Sequence, residues 1–224
     1  MNERFVIVGG GIIGLLSAYF LHQCGQSVVL LDKGALGKES SWAGGGIISP
    51  LYPWHYPEEV SRLSAYGQQH YPALCQTLAH ATGIDPEWVK SGLLMLDVEE
   101  LSLAQQWAKQ ADAELQFIDN PRDLAEIETA LHPQFEQALW MPNIAQIRNP
   151  RLLKALKHYL QHTSVEIREH TAVSDIQCNQ QGEATGVITA TGVIAADKVI
   201  ISSGAWSSIA CTAKHQFEGE TCRG

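Results

Sequence analysis

Phe5-Val6-Ile7-Val8-Gly9-Gly10-Gly11-Ile12-Ile13-Gly14, followed by an apolar stretch and then Val28-Val29-Leu30-Leu31-Asp32, decides how the rest of the chain is read. Short unbroken apolar runs of this kind fit strands buried on both faces. Between them the pattern predicts a helix from about Ile13 to Cys24, with Gly25 as its C-terminal stop. The glycines fall at G-x-G-x-x-G spacing, and each has a mechanical use. Gly9 permits a sharp turn out of the first strand, Gly11 lets backbone approach a pyrophosphate, and Gly14 lets the helix pack closely on the sheet. The helix N-terminus offers unpaired N–H groups and a partial positive charge to phosphates. Asp32, 18 residues beyond Gly14, is placed to accept hydrogen bonds from ribose hydroxyls and to repel a 2′-phosphate, which argues against NADP. A secretory or membrane segment is the competing reading of residues 5–21. Such a segment would not hold four glycines ahead of a second β-rich run ending in an acid.

At 224 residues the chain is long enough for one large or two modest domains. Its net charge of -9, with no lysine or arginine cluster, disfavours nucleic acid and anionic membrane as partners. The five cysteines (Cys24, Cys75, Cys178, Cys211 and Cys222) are scattered and form no C-x-x-C. That argues against a zinc or disulfide framework as the organising principle and fits a reducing cytoplasm. No integral membrane segment, resident metal or nucleic-acid partner is expected; a homo-oligomer is compatible with the sequence.

Beyond Asp32 the sequence reads as a loop through Glu39, then Ser40-Ser41-Trp42-Ala43-Gly44-Gly45-Gly46-Ile47-Ile48-Ser49-Pro50. Three successive glycines are costly in chain entropy and make sense where backbone passes close to a ligand. The bulky Trp42, Ile47 and Ile48 point to a packed loop rather than a linker. The aromatic run 51–56 either lines a cavity or caps a core, and a lone His55 within it reads as structural rather than as a base. Helical spacing follows from Pro57 to Thr82, with Pro72 marking a kink or break. Strands are expected at 92–98, 115–118 and 137–141, with helices at 99–112 and from Asp119-Asn120-Pro121 to about Leu131. An amphipathic helix starts at Asn149-Pro150, then a strand at 165–168. A three-stranded meander comes next, at 174–179, 185–189 and 193–195, with turns at Gly182 and at Thr191-Gly192. Val199-Ile200-Ile201 is a last buried strand, running into Ser202-Ser203-Gly204-Ala205-Trp206-Ser207. A glycine at a strand's C-terminal end sits at the ligand crevice of a doubly wound sheet.

Taken together, the Gly9–Gly14 turn with Asp32, the Ser-Ser-x-Ala-Gly-Gly loop (Ser40, Ser41, Ala43, Gly44, Gly45), the meander and the Gly-Ala-Trp-Ser ending (Gly204 to Ser207) resemble the D-amino-acid oxidase and glycine oxidase family. The resemblance covers about residues 4–208. It implies an α/β fold: a Rossmann-like FAD-binding domain, with parallel sheet and meander, at 1–50 and 145–208. An inserted, incomplete α+β substrate domain would occupy 51–144, and 209–224 would be an irregular tail. By the same resemblance Ile12 and Ile13 contact the pyrophosphate of FAD, and Asp32 with Lys33 holds the adenosine ribose. Ser40 and Ser41 bind phosphate or ribityl oxygens, Gly45, Gly46 and Ile47 lie against the isoalloxazine, and Val173 presents its backbone to the adenine. Gly204, with Trp206 beyond it, closes the pocket.

The activity implied is oxidation of an amino acid or small amine by hydride transfer to flavin N5, giving an imine that hydrolyses to an oxo acid and ammonia. A neutral amine makes an obligatory side-chain base unnecessary, and no catalytic residue is assigned. Members of the family run on well beyond this length, so the chain reads as a C-terminally truncated member. Arg223 is too near the terminus to serve as the family's substrate clamp. The alternatives are a catalytically incompetent FAD-binding remnant and a dehydrogenase-like enzyme passing electrons to a partner. An NAD-dependent dehydrogenase is disfavoured because it has no use for the 40–46 loop and the meander. A flavin-dependent tRNA-modifying enzyme is disfavoured by the acidic balance.

Overall fold

The computed structural model describes residues 2–96 and 98–207. In chain order the elements are β1 (Arg4–Val8), α1 (Ile12–Gln23), β2 (Ser27–Leu31), α2 (Ser40–Ala43), α3 (Glu58–Thr82), β3 (Leu93–Met95), α4 (Leu101–Gln110) and β4 (Gln116–Ile118). They continue with α5 (Pro121–Ile127), β5 (Ala138–Met141), α6 (Asn149–Gln161), β6 (Glu166–Arg168), β7 (Val173–Cys178), β8 (Ala184–Thr189), β9 (Gly192–Ala195) and β10 (Lys198–Ile201). One-turn 3-10 helices stand at Pro53–His55 and Gly204–Trp206. The described residues form two compact units: those up to Gly44 together with those from Asn149 onward, and Gly45–Arg148. Cys211, Cys222, Arg223 and the expected tail lie outside the described residues.

The first unit is built on a four-stranded parallel sheet of order β10-β1-β2-β6. Val8 pairs with Leu31 on one side and Ile201 on the other, so three strands end on one level. Because side chains alternate along a strand, the two faces can be assigned separately. Val6, Val8, Val29 and Leu31 pack against Val187 and Ile194 of the antiparallel β7-β8-β9 meander and against Ala196 just beyond it. Ile7 and Leu30, also fully buried, take the opposite parity and face the helix layer. There α1 supplies Leu15, Ala18 and Tyr19, and α6 supplies Leu152, Leu156 and Leu160. Tyr19 and Tyr159 meet with ring centroids 5.0 Å apart. Burial on both faces explains why β1 and β2 are apolar at successive rather than alternate positions. Gly25, at φ +75°, stops α1 as expected.

In the second unit β3, β5 and β4 form an antiparallel sheet in that order. Its core of Met95, Ala104, Leu139, Met141 and Ile144 is capped by Tyr52, Trp54 and Trp107. Asn120 Oδ1 accepts from Arg122 N at 3.0 Å and caps α5, which ends at Ile127 rather than near Leu131. The expected strand at 92–98 is confined to β3. α3 is a single helical element with Pro72 inside it, and only Cys75 and Leu78 are buried along it. Leu63, at a position of apolar spacing, is 74% exposed.

Candidate functional site

At the C-terminal edge of the parallel sheet the chain leaves β1 through Gly9, whose φ of +111° excludes an ordinary side chain. A Cβ there would stand 2.4 Å from Ser202 O, so the turn is set by the strand end beside it as well as by its own torsion. Ser202 Oγ donates to Gly9 O at 2.8 Å, and Ser203 Oγ donates to Val8 O at 3.1 Å. At Gly14 a Cβ would lie 1.8 Å from Gly9 O, so the first turn of α1 rests directly on backbone. Gly10, silent in the motif, is pressed against Leu36, whose Cδ2 would be 1.9 Å from an added Cβ.

Asp32 braces this turn. Its Oδ2 accepts from Gly10 N and its Oδ1 from Gly34 N, both at 2.7 Å. An ionised carboxylate has about four acceptor sites, so about two remain for a ligand's hydroxyls. Thr171 N donates to Asp32 O at 2.7 Å and ties the segment ahead of β7 to the same point. Lys33 extends past Asp32, and its ammonium lies 3.5 Å from the centroid of the Trp206 indole. The 33–37 loop is anchored from below by Glu169, which accepts from Leu36 N at 2.7 Å and from Lys157 Nζ at 2.7 and 2.8 Å. Burial pushes the Glu169 carboxyl up, but the Lys157 ammonium and the Leu36 N–H outweigh it and hold the group below its usual range.

The expected loop at 40–50 begins instead with the short helix α2, which corrects the reading of its first four residues. Ser41 Oγ accepts from Ile12 N at 2.9 Å and satisfies one of the first-turn amides that a helix leaves without a backbone partner. Asn149 Nδ2 donates to Gly44 O at 2.9 Å and fixes where this segment ends.

These elements enclose a cavity of about 480 Å³. Of the residues singled out from the sequence, Gly9, Gly11, Ile12, Ile13, Asp32, Lys33, Ser40, Ser41, Val173, Gly204 and Trp206 line it. Gly14 lies behind the turn, Ala43 and Gly44 are outside the lining, and Gly45, Gly46 and Ile47 belong to the second unit. There Gly46 O accepts from Ile147 N at 2.9 Å, and Ile47 bridges Gln146. Glu39, Thr171, Ser202 and Ser203 also line the cavity and were not assigned from the sequence. For Ser202 and Ser203 the available signal was their place between a buried strand and Gly204. His55 does not stand as an isolated base: Glu100 Oε2 lies 2.6 Å from its Nε2 and accepts from Trp54 Nε1 at 2.7 Å. Among the described residues no His, Cys, Asp and Glu cluster suits a metal ion.

The family model described as FAD dependent oxidoreductase matches residues 4–223. The chain is 43% identical over 208 residues to glycine oxidase of Pseudomonas putida, covering 92% of this chain and 56% of that protein. It is 41% identical over 208 residues to glycine oxidase of Pseudomonas aeruginosa, with 92% and 57% covered. The solved structure of glycine oxidase from Bacillus cereus superposes with a TM-score of 0.83 at 26% identity, over 93% of this chain and 57% of that one. The chain thus spans little more than half the length of these relatives.

Proposed function

The chain belongs to the FAD dependent oxidoreductase family, and on that premise we propose that its first unit holds FAD in the service of oxidising a small amino acid or amine. The observation that supports this most is that the glycine turn, the acid ending β2, the α2 serines and the segment opening β7 line one cavity. The residues fit the group: Gly11, Ile12 and Ile13 offer small or aliphatic groups and a helix N-terminus to a diphosphate, with Ser40 and Ser41 beside them. The spare acceptor sites of Asp32 suit a ribose diol, and Val173 suits contact with adenine through its backbone. Bound flavin supplies a two-electron acceptor for the substrate's α-carbon. The protein's part is position and electrostatics, and no side-chain base is assigned. Glycine is the substrate named for the Pseudomonas relatives and is the first to test. Residues 51–144, within the second unit, would belong to the substrate side of the enzyme. The five scattered cysteines, with no C-x-x-C, fit a reducing compartment, the cytoplasm.

The purified chain should show the visible absorption of bound flavin, directly or after reconstitution with FAD. No colour after reconstitution overturns the reading. Anaerobic bleaching by glycine, sarcosine or D-alanine then identifies the substrate class, and failure of all three removes the amine-oxidising part.

A further inference from the structure

We propose that Lys33 and Trp206 form a strap across the nucleotide crevice that retains a bound dinucleotide and slows its release; this rests on the FAD reading above. The sheet order places β2 and β10 on opposite sides of β1, with Leu31 and Ile201 both paired to Val8. Neighbouring strands lie about 4.8 Å apart, so the ends of β2 and β10 stand roughly 10 Å apart with the glycine turn between them. Lys33 follows the first of these ends and Trp206 the second, yet the ammonium reaches to 3.5 Å from the indole centroid. That is well inside the separation of about 6 Å at which a cation is attracted to a ring face. The contact therefore joins the two flanks of the turn, and both residues line the crevice together with Gly9 and Gly11.

Both ends of the strap are held by the fold. Asp32, fixed by the Gly10 and Gly34 amides, sets the backbone at Lys33. Trp206 N donates to Ser203 O at 3.1 Å, and Ser203 Oγ is bonded to Val8 O. Among the lining residues Asp32 and Glu39 are acidic and Lys33 alone is basic, so the crevice's cation sits on the strap. A diphosphate seated on the glycine turn is enclosed by this contact and must part it to leave.

The test is the release rate of FAD from the full chain after dilution, followed by free-flavin fluorescence, in wild type, Lys33→Met, Trp206→Leu, the double variant and Lys33→Arg. Each single loss should speed release about fivefold, with about thirtyfold as the ceiling for a desolvated pair. The double variant should match the faster single, because the pair acts as a unit, and Lys33→Arg should restore slow release, since arginine also stacks on indole. Wild-type release rates in both singles, or a double effect equal to the product of the singles, overturn the strap. So does a Lys33→Met chain whose urea midpoint falls in step with faster release, since loss of fold then explains the leak. A wild-type chain that takes up no FAD overturns the functional reading instead.

Discussion

Glycine-to-alanine exchange at two helical positions should shift stability in opposite directions. Alanine favours a helix interior over glycine by about 1 kcal/mol, so propensity alone predicts a gain at both Gly14 of α1 and Gly67 of α3. At Gly67 the new Cβ would lie 3.7 Å from the Tyr71 ring, an ordinary contact, and the gain of about 0.5–1 kcal/mol should be realised. At Gly14 it would lie 1.8 Å from Gly9 O, 2.8 Å from Ser202 Oγ and 3.0 Å from Gly9 C. Gly9 cannot give way easily, because its N–H is bonded to Leu31 O and its O to Ser202 Oγ. The helix must instead lift from the sheet by more than about 1 Å, loosening Leu15 and Ala18, both fully buried. Overpacking costs about 1–3 kcal/mol, and a backbone obstacle belongs at the upper end. Less the propensity gain, the net loss is about 2 kcal/mol. In urea unfolding followed by far-UV circular dichroism, a slope of about 2 kcal/mol/M converts this to a midpoint about 1 M lower for Gly14→Ala. Gly67→Ala should rise by about 0.3–0.5 M on the same slope. A Gly14→Ala midpoint at or above wild type refutes the close-packing argument.

Gly11→Val should leave the fold intact, since its Cβ would meet only Ser41 Oγ at 3.0 Å. It should weaken FAD binding about a hundredfold by overfilling the phosphate approach; a wild-type dissociation constant in fluorescence titration refutes that placement. Glu169 is held below the usual glutamate value of 4.5 in the folded chain, so its contribution to stability is complete above that pH and is lost as pH falls through the folded value. Wild type should therefore be more stable than Glu169→Gln at pH 7, and the two should converge in acid, as read by urea midpoints across pH; a difference that persists at low pH contradicts the ion-pair account. Burial, then the charge of Asp85, pushes the Cys75 thiol up to about 12, whereas Cys24 is exposed. A thiol reagent should label Cys24 in the native chain and Cys75 only on unfolding, and native labelling of Cys75 by peptide mapping would count against its burial.

What the amino-acid order determined by itself is the set of features written in local pattern. The strand, glycine turn, helix and acid-ended strand, the Asn120 cap, the Gly25 stop, the amphipathic 149–161 helix and the meander all follow from torsional demands and from periods of 2 and 3.6 within a few residues. Even there the outcome differed in places: α3 keeps its apolar spacing, yet Leu63 is exposed, and Ser40–Ala43 coils into a helix where the run leading into the three glycines read as loop. Only the tertiary structure decided which groups meet. The bond from Gly34 N to Asp32 Oδ1 is a local turn contact two residues along the chain, but nothing near Asp32 announces that its other oxygen is met by Gly10, or that Glu169 steadies Leu36 through a bond spanning 133 residues. Ser202, bonded to Gly9 across 193 residues, reaches the turn because the parallel order sets β10 beside β1 in one register. Spacing can specify a turn able to hold a phosphate; the partners that fix its walls come from strand order, which places distant segments a few ångströms apart.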